Sequence, residues 1–351
     1  MIFIPVLLPQ MKITYAKWFR SGLATALLCS LLWNPGRSAA QSKSDPELST
    51  ATALIHQGRL AEAVPHLQRA HGYAASFNLS LCYLGLGEYN RAATGLEALR
   101  ASGHDNASVN NLLAQAYVGQ SQPQKALEAF HRAVALDPDN EKLYAFIADA
   151  CTDHKNFDLG LQVVNEGLKN LPRSARLHYE RAMFLAQTGN DVDSQAEFAE
   201  AAKLAPETDI AYLALAQKNL FAGNISEAIR VAREAIRAGH NDPVLLDLLG
   251  EVLIHAGATP GQPEFAEAQT LLEHAVAQKP DYSTAQIALG RLYLMEDRPA
   301  DAVTHLEIGR RLEPENRAVY TSLADAYRKS GRKDKAREMM DILGKLMANQ
   351  Q

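Results

Sequence analysis

Eleven histidines and three cysteines are the side chains in this 351-residue chain best suited to metal binding or nucleophilic catalysis. Their spacing supports neither. No His-Glu-x-x-His run sets two imidazoles one helical turn apart beside a base, and no His, Cys and Asp cluster has metal-ligand spacing. His66 and His71, the closest pair, stand about 140° apart around a helix. A phosphate-cradling glycine loop, a Gly-x-Ser-x-Gly elbow and a linked Ser/His/Asp set are also missing. The histidines therefore read as surface or capping residues. Cys29, Cys82 and Cys151 contain no Cys-x-x-Cys pair, and the last two read as small buried thiols. No enzyme, cofactor or metal site is expected.

What recurs instead is apolar spacing, clearest from Ala107 to Asn140. Leu113, Ala114 and Tyr117 make one helical stripe, and Ala126, Phe130 and Ala133 make another. Between them, Gly119 to Gln124 carries turn residues, and Asp137-Pro138-Asp139 stops the second helix, because proline cannot continue it. The unit is helix, turn, helix, stop. It returns in a 34-residue frame, with starts near Ser44, Tyr73, Ala107, Glu141, Ala175, Asp209, Pro243, Ser283 and Arg317. The eighth position is always small: Ala51, Ser80, Ala114, Ala148, Ala182, Ala216, Gly250, Gly290 and Ala324. So is the twentieth: Ala63, Ala92, Ala126, Gly160, Ser194, Ala228, Ala268, Ala302 and Ala336. Closely crossing helices leave no room for more. Position 32 holds Pro138, Pro172, Pro206, Pro280 and Pro314, with His240 the exception in that run.

This pattern resembles the tetratricopeptide repeat family, in which small residues stand at 8 and 20, Tyr at 11, an aromatic at 24 and Pro at 32. Tyr83, Tyr117, Tyr293 and Tyr327 match the eleventh position, and Phe130 and Phe198 the twenty-fourth. The family's Trp at position 4 is absent, with Tyr144, Tyr212 and Tyr320 in its place in three frames. The resemblance implies an all-α, right-handed superhelical solenoid of about nine antiparallel helix pairs over residues 41–351. Two frames depart from it. The first is 29 residues long, so its exit is short or the repeat degenerate, and the seventh carries six extra residues at Ala258 to Pro263. That Pro/Gly loop reads as a tolerated insertion or a binding edge.

In such solenoids positions 5, 9 and 12 of each first helix line a concave groove, roughly opposite a packing stripe at 4, 7, 8 and 11. Here the groove is expected to hold Phe77, Asn111, Gln115, Asp149, Tyr179, Met183, Leu213, Gln217, Asp247, Glu251 and Arg291, with Asn78 beside them at position 6. An apolar strip edged by carboxylates suits a protein or peptide segment carrying Lys or Arg beside apolar anchors. These positions lie off the packing stripe, so substitution there, as in Tyr179→Ala, is expected to spare the fold. Phe77 and Tyr179 leave open a non-catalytic role in binding polysaccharide or cell-wall material. The family's clamp for acidic C-termini is not expected, since Asn78 and Asn111 are its only candidates and basic partners do not follow in register.

The first forty residues hold Lys12, Lys17, Arg20 and Arg37 and no acid. The rest carries 31 basic against 40 acidic side chains, about −9, which argues against nucleic acid as the main ligand. Lys12 to Gln41 has the parts of a secretory signal: a basic start, an apolar run from Gly22 to Trp33 and small residues at Ser38-Ala39-Ala40. Cleavage is expected before Gln41, with Met11 an alternative start. An uncleaved membrane anchor, or a lipid on Cys29, stands as the alternative. The last helix pair is basic, with Arg328, Lys329, Arg332, Lys333, Lys335, Arg337 and Lys345, and reads as a solvated cap or a contact for an anionic surface. The expectation is an exported, periplasmic or secreted scaffold for protein interaction, of unspecified oligomeric state.

Overall fold

A computed structural model describes residues 45–314 and 316–348, so the expected signal sequence and its cleavage point lie outside the described residues. The described residues form eighteen α-helices and no strand. They fall into two compact units, divided between Leu204 and Ala205.

The first unit holds five helix pairs: α1 (Pro46–His56) with α2 (Leu60–Arg69), α3 (Tyr73–Gly85) with α4 (Tyr89–Ala101), α5 (Ala107–Gly119) with α6 (Pro123–Leu136), α7 (Glu141–Asp153) with α8 (Phe157–Asn170), and α9 (Ala175–Gln187) with α10 (Asp191–Leu204). The second holds four: α11 (Asp209–Phe221) with α12 (Ile225–Arg237), α13 (Pro243–His255) with α14 (Pro263–Gln278), α15 (Ser283–Met295) with α16 (Pro299–Leu312), and α17 (Arg317–Lys329) with α18 (Lys333–Ala348). The short first frame is explained by α2, which is 10 residues long where the second helices after it run to 13 or more.

Local chemistry sets the helix ends. Asn106, Asn140 and Ser174 in the first unit, and Thr208, Asp242 and Asn316 in the second, each accept a hydrogen bond from an N–H of the following first turn. Such caps contribute about 1 kcal/mol each. Between the two helices of every pair, the fifteenth residue of the frame is left-handed. It is glycine at Gly58, Gly87, Gly189, Gly223, Gly257 and Gly331, but Ser121, Lys155 and Asp297 adopt the same φ of 54–57°. The turn demands it: with that residue left-handed, the next N–H reaches back five residues to cap the helix, as from Gln122 to the Tyr117 carbonyl at 2.8 Å and from Asn156 to Cys151 at 2.8 Å.

Packing explains the small positions. A Cβ on Gly250 would stand 2.9 Å from Leu272 Cγ, and one on Gly290 would stand 2.6 Å from Leu306 Cγ and 3.2 Å from the Ala302 carbonyl. First and second helices thus cross in near contact at the eighth position. In the first unit Phe130 sits edge-on to Tyr144 at 5.7 Å, and Leu113, Ala114 and Ala126 are buried around them. In the second, Leu249, Leu253, Phe265 and Leu272 fill the same role. Within each unit, every second helix also packs on the first helix of the next pair, and successive first helices touch one another. Among the described residues the second helices show no comparable pairing with each other. The first helices are therefore the closer-packed layer of each unit. The inserted loop of the seventh frame closes on itself: the Thr259 N–H donates to Gln262 Oε1 at 2.8 Å, and the Gln262 N–H donates to the Thr259 carbonyl at 3.1 Å.

Candidate functional site

Because successive first helices touch, their fifth and ninth side chains are caught between neighbours. The structure buries ten of the twelve residues expected in the groove; Asn78 is half-buried and Arg291 is exposed. These positions are not the open stripe that a single helical wheel predicts. A wheel sees one helix, whereas here the next repeat supplies the cover. In the first and last described pairs the fifth-position residues Leu48 and Thr321 are half-buried and exposed.

In the first unit the buried polar groups of this face close on each other. Asn111 Nδ2 donates to the Leu143 carbonyl at 2.8 Å, and Gln115 Nε2 donates to Asn111 Oδ1 at 2.7 Å. Arg176, at the second position of its frame, reaches Asp149 Oδ1 at 3.1 Å and Glu180 Oε1 at 2.5 Å. Burial still raises the proton affinity of the Glu180 carboxyl, and Arg176 opposes that rise. Met183 is buried, and Tyr179 is 0% exposed with its ring edge-on to Phe198 at 5.7 Å. Phe77 is buried against Tyr73. Neither aromatic offers a face for a sugar, and Tyr179→Ala removes core, which corrects the expectation that it spares the fold.

In the second unit the same face is differently built. Gln217 is 0% exposed, and neither its Oε1 nor its Nε2 has a hydrogen-bond partner among the described residues. Asp247 is also 0% exposed; its Oδ2 accepts from the Tyr282 hydroxyl at 3.1 Å, and its Oδ1 has no partner. One turn further along α13, Glu251 is buried with Oε2 unpartnered. Burial, then the charge of Glu251, holds the Asp247 carboxyl well above the usual carboxylate range, against the Tyr282 hydrogen bond. Burial pushes Glu251 up to about 7; the guanidinium of Arg291 opposes this and Glu313 adds to it. Leu213 is buried beside this set.

Sequence reasoning missed Arg176 as the cation of the first unit, and Tyr282 and Thr284 as members of the second. The usable signal was a charged residue at the second position of a frame, where Val244 and Thr284 stand in later ones. His178 is likewise buried rather than on the surface, between Glu197 and the Pro172 carbonyl. Cys82 and Cys151 are buried free thiols, and burial pushes Cys82 up to about 12. No group of His, Cys, Asp and Glu among the described residues is arranged to hold a metal ion. In the basic last pair, Lys329 bonds Asp297 at 3.0 Å and Arg328 pairs with Asp325. The adjoining cleft of about 370 Å³ sets Glu307 and Glu338 against Arg310, Arg332 and Lys335, so it presents both signs of charge.

Comparison with known proteins agrees with this geometry. A model of the tetratricopeptide repeat matches residues 54–116, 117–184 and 261–311, and a second model of that repeat matches 288–343. The BBSome complex member BBS4 homolog of Drosophila melanogaster is 27% identical over 170 residues, covering 47% of this chain and 35% of that protein. This chain spans about a third or less of the length of the curated relatives it matches. Among solved structures, yeast Tom70 superposes with a TM-score of 0.60 at 16% identity, over 95% of this chain and 75% of that one. The Cut9–Hcn1 hetero-tetramer of the APC/C gives 0.51 at 18% identity, over 88% of this chain and 61% of that one. These likenesses speak for the fold, and the matched models describe repeats rather than a catalytic domain. With repeat models matched over more than half of its length, the chain belongs to the tetratricopeptide repeat family.

Proposed function

We propose that this chain is an exported scaffold that holds a protein or peptide segment against the first-helix layer and so serves the assembly of an envelope complex. One observation carries the binding reading. The first helices of the second unit bury Gln217, Asp247 and Glu251 with polar atoms left unpartnered among the described residues, which helix packing alone does not require. Burying such groups costs stability unless they are hydrogen-bonded, so their presence in a core points to a task beyond folding. A relative named as a complex member fits the same role. Export rests on the residue types of Lys12 to Gln41.

A photo-crosslinking residue tests the binding reading when placed at Arg291, the exposed member of the set, and at Glu234 on α12 as a control. Adducts of one defined mass from position 291 and not from 234 are expected; equal labelling from both would place recognition elsewhere. For export, the mature chain isolated from its native source should begin at Gln41 by mass spectrometry. An intact terminus at Met1 or Met11 would sink that half of the proposal.

A further inference from the structure

Unpartnered buried polar atoms gather on the first helices of the second unit. They are Gln217 Oε1 and Nε2 on α11, Asp247 Oδ1 and Glu251 Oε2 on α13, and Thr284 Oγ1 on α15. Two of the three such atoms in the first unit sit on side chains bonded elsewhere: Asn110 donates through Nδ2 to Asp105, and Arg181 through its terminal nitrogen to Glu197. Gln217 has no such second bond. A buried polar group without a partner costs its full desolvation penalty, so several on one face call for a common occupant.

The repeat register says where Gln217 is aimed. In the first unit the ninth-position Asp149 meets the second-position Arg176 of the next frame. The same register carries the ninth-position Gln217 to the first half of α13, and these two helices touch. There the second position is Val244, which brings no cation. Asp247 follows three residues later. The titratable and charged groups around the set are Tyr282, bonded to Asp247, Arg291 and Glu313, both acting on Glu251, and His255, which lies within the field of Arg291.

The free oxygens are acceptors, and two of them belong to carboxyl groups. An anion would meet like charge. No group of three or more His, Cys, Asp or Glu among the described residues is arranged to hold a metal ion. A side-chain ammonium or guanidinium brings three or five donors and the missing positive charge. Building on the groove reading above, we infer that the second unit binds a lysine or arginine of a partner's segment, with its cation between Asp247, Glu251 and Gln217. Entry requires α11 and α13 to part, since all three side chains are buried in the chain by itself. Its aliphatic stem runs along Leu213 and Ile287, the fifth-position residues of the flanking first helices. Arg291, exposed beside Glu251, is the internal competitor for that charge.

A random twelve-residue peptide library displayed on phage tests this. It is selected against the full chain and against the Asp247→Asn/Glu251→Gln double variant, whose helicity is checked by circular dichroism. Peptides recovered on the wild type are expected to share a Lys or Arg. Replacing that residue by norleucine in the synthetic peptide should weaken binding at least tenfold, and Arg291→Ala should strengthen it about threefold. On the double variant the basic preference should vanish. A consensus without Lys or Arg, or a basic preference that survives the double substitution, overturns the cation site and leaves the groove reading standing. Recovery of no consensus on either protein overturns both.

Discussion

In the first unit Arg176 reaches between Asp149 and Glu180 and neutralises one of two buried carboxylates with its own fork of donors. In the second, Asp247 and Glu251 lie as deeply buried, yet the nearest donor within bonding distance is a tyrosine hydroxyl. Both sets lie on first helices of the repeat, the second in the frame that carries the six-residue insertion. One difference lies at the second position of the following frame, where Asp149 meets Arg176 while the same register offers Glu251 only Thr284 and Gln217 only Val244. A repeat can therefore keep its scaffold constant while switching a polar face from closed to unsatisfied. A closed face is part of the fold, whereas an unsatisfied one is stable enough to persist but is improved by a partner.

The largest test of this contrast removes the cation. Arg176→Met leaves Asp149 and Glu180 buried without it and should cost about 3–5 kcal/mol in urea unfolding. Faster amide exchange should appear in α7 to α9 and spare α11 to α18. A cost under about 1 kcal/mol would mean that the pair is already solvated and the contrast is false. Tyr179→Ala follows, at about 3 kcal/mol, because it opens a cavity against Phe198 rather than trimming a surface. A thermal melt as high as the wild type's would return Tyr179 to the surface.

Glu251→Gln probes the unsatisfied side with the opposite sign. The folded carboxyl titrates near 7, above the ordinary 4.5. The folded chain thus holds that proton where the unfolded chain has lost it. Its stabilising share is full below about pH 4.5 and disappears as pH rises through 7. The wild type should melt lower at pH 8 than at pH 5. The variant should flatten that slope and gain on the order of 2 kcal/mol at pH 8. A slope unchanged by the substitution would assign the pH dependence to other groups. The smallest effect is a control shared by both units. Lys155→Gly and Asp297→Gly relieve left-handed residues and should each add about 1 kcal/mol. Asp297→Gly gains slightly less, since it gives up an exposed pair with Lys329. Unequal gains well beyond that would show that the units differ in their turns as well as on the first-helix face.

Most of the architecture was legible in the sequence. Helix periodicity, the prolines and the small residues at positions 8 and 20 depend on contacts inside one pair, and those recur within a single frame. The turn geometry was half legible: six glycines announce a left-handed residue, but Ser121, Lys155 and Asp297 adopt it under the pull of the helix cap and carry no such mark. The candidate site was legible as a set of positions, and its accessibility was not. Asp247 and Tyr179 look alike on a wheel, as residues off the packing stripe. Both are buried, Tyr179 against Phe198 of its own pair and Asp247 against Tyr282 of the next, and only Tyr179 belongs there chemically.

By itself, then, the sequence determined the helix pairs, their number and their close crossings, because each follows from residue sizes and periods within about 34 positions. The tertiary structure alone decided which polar groups of the first helices are satisfied. Their partners come from the next repeat, as Arg176 comes to Asp149 from 27 residues away and Tyr282 to Asp247 from 35. Whether such a partner arrives depends on which side chain the next first helix sets against that position. That pairing belongs to neither helix alone, so no stretch of one frame can state it.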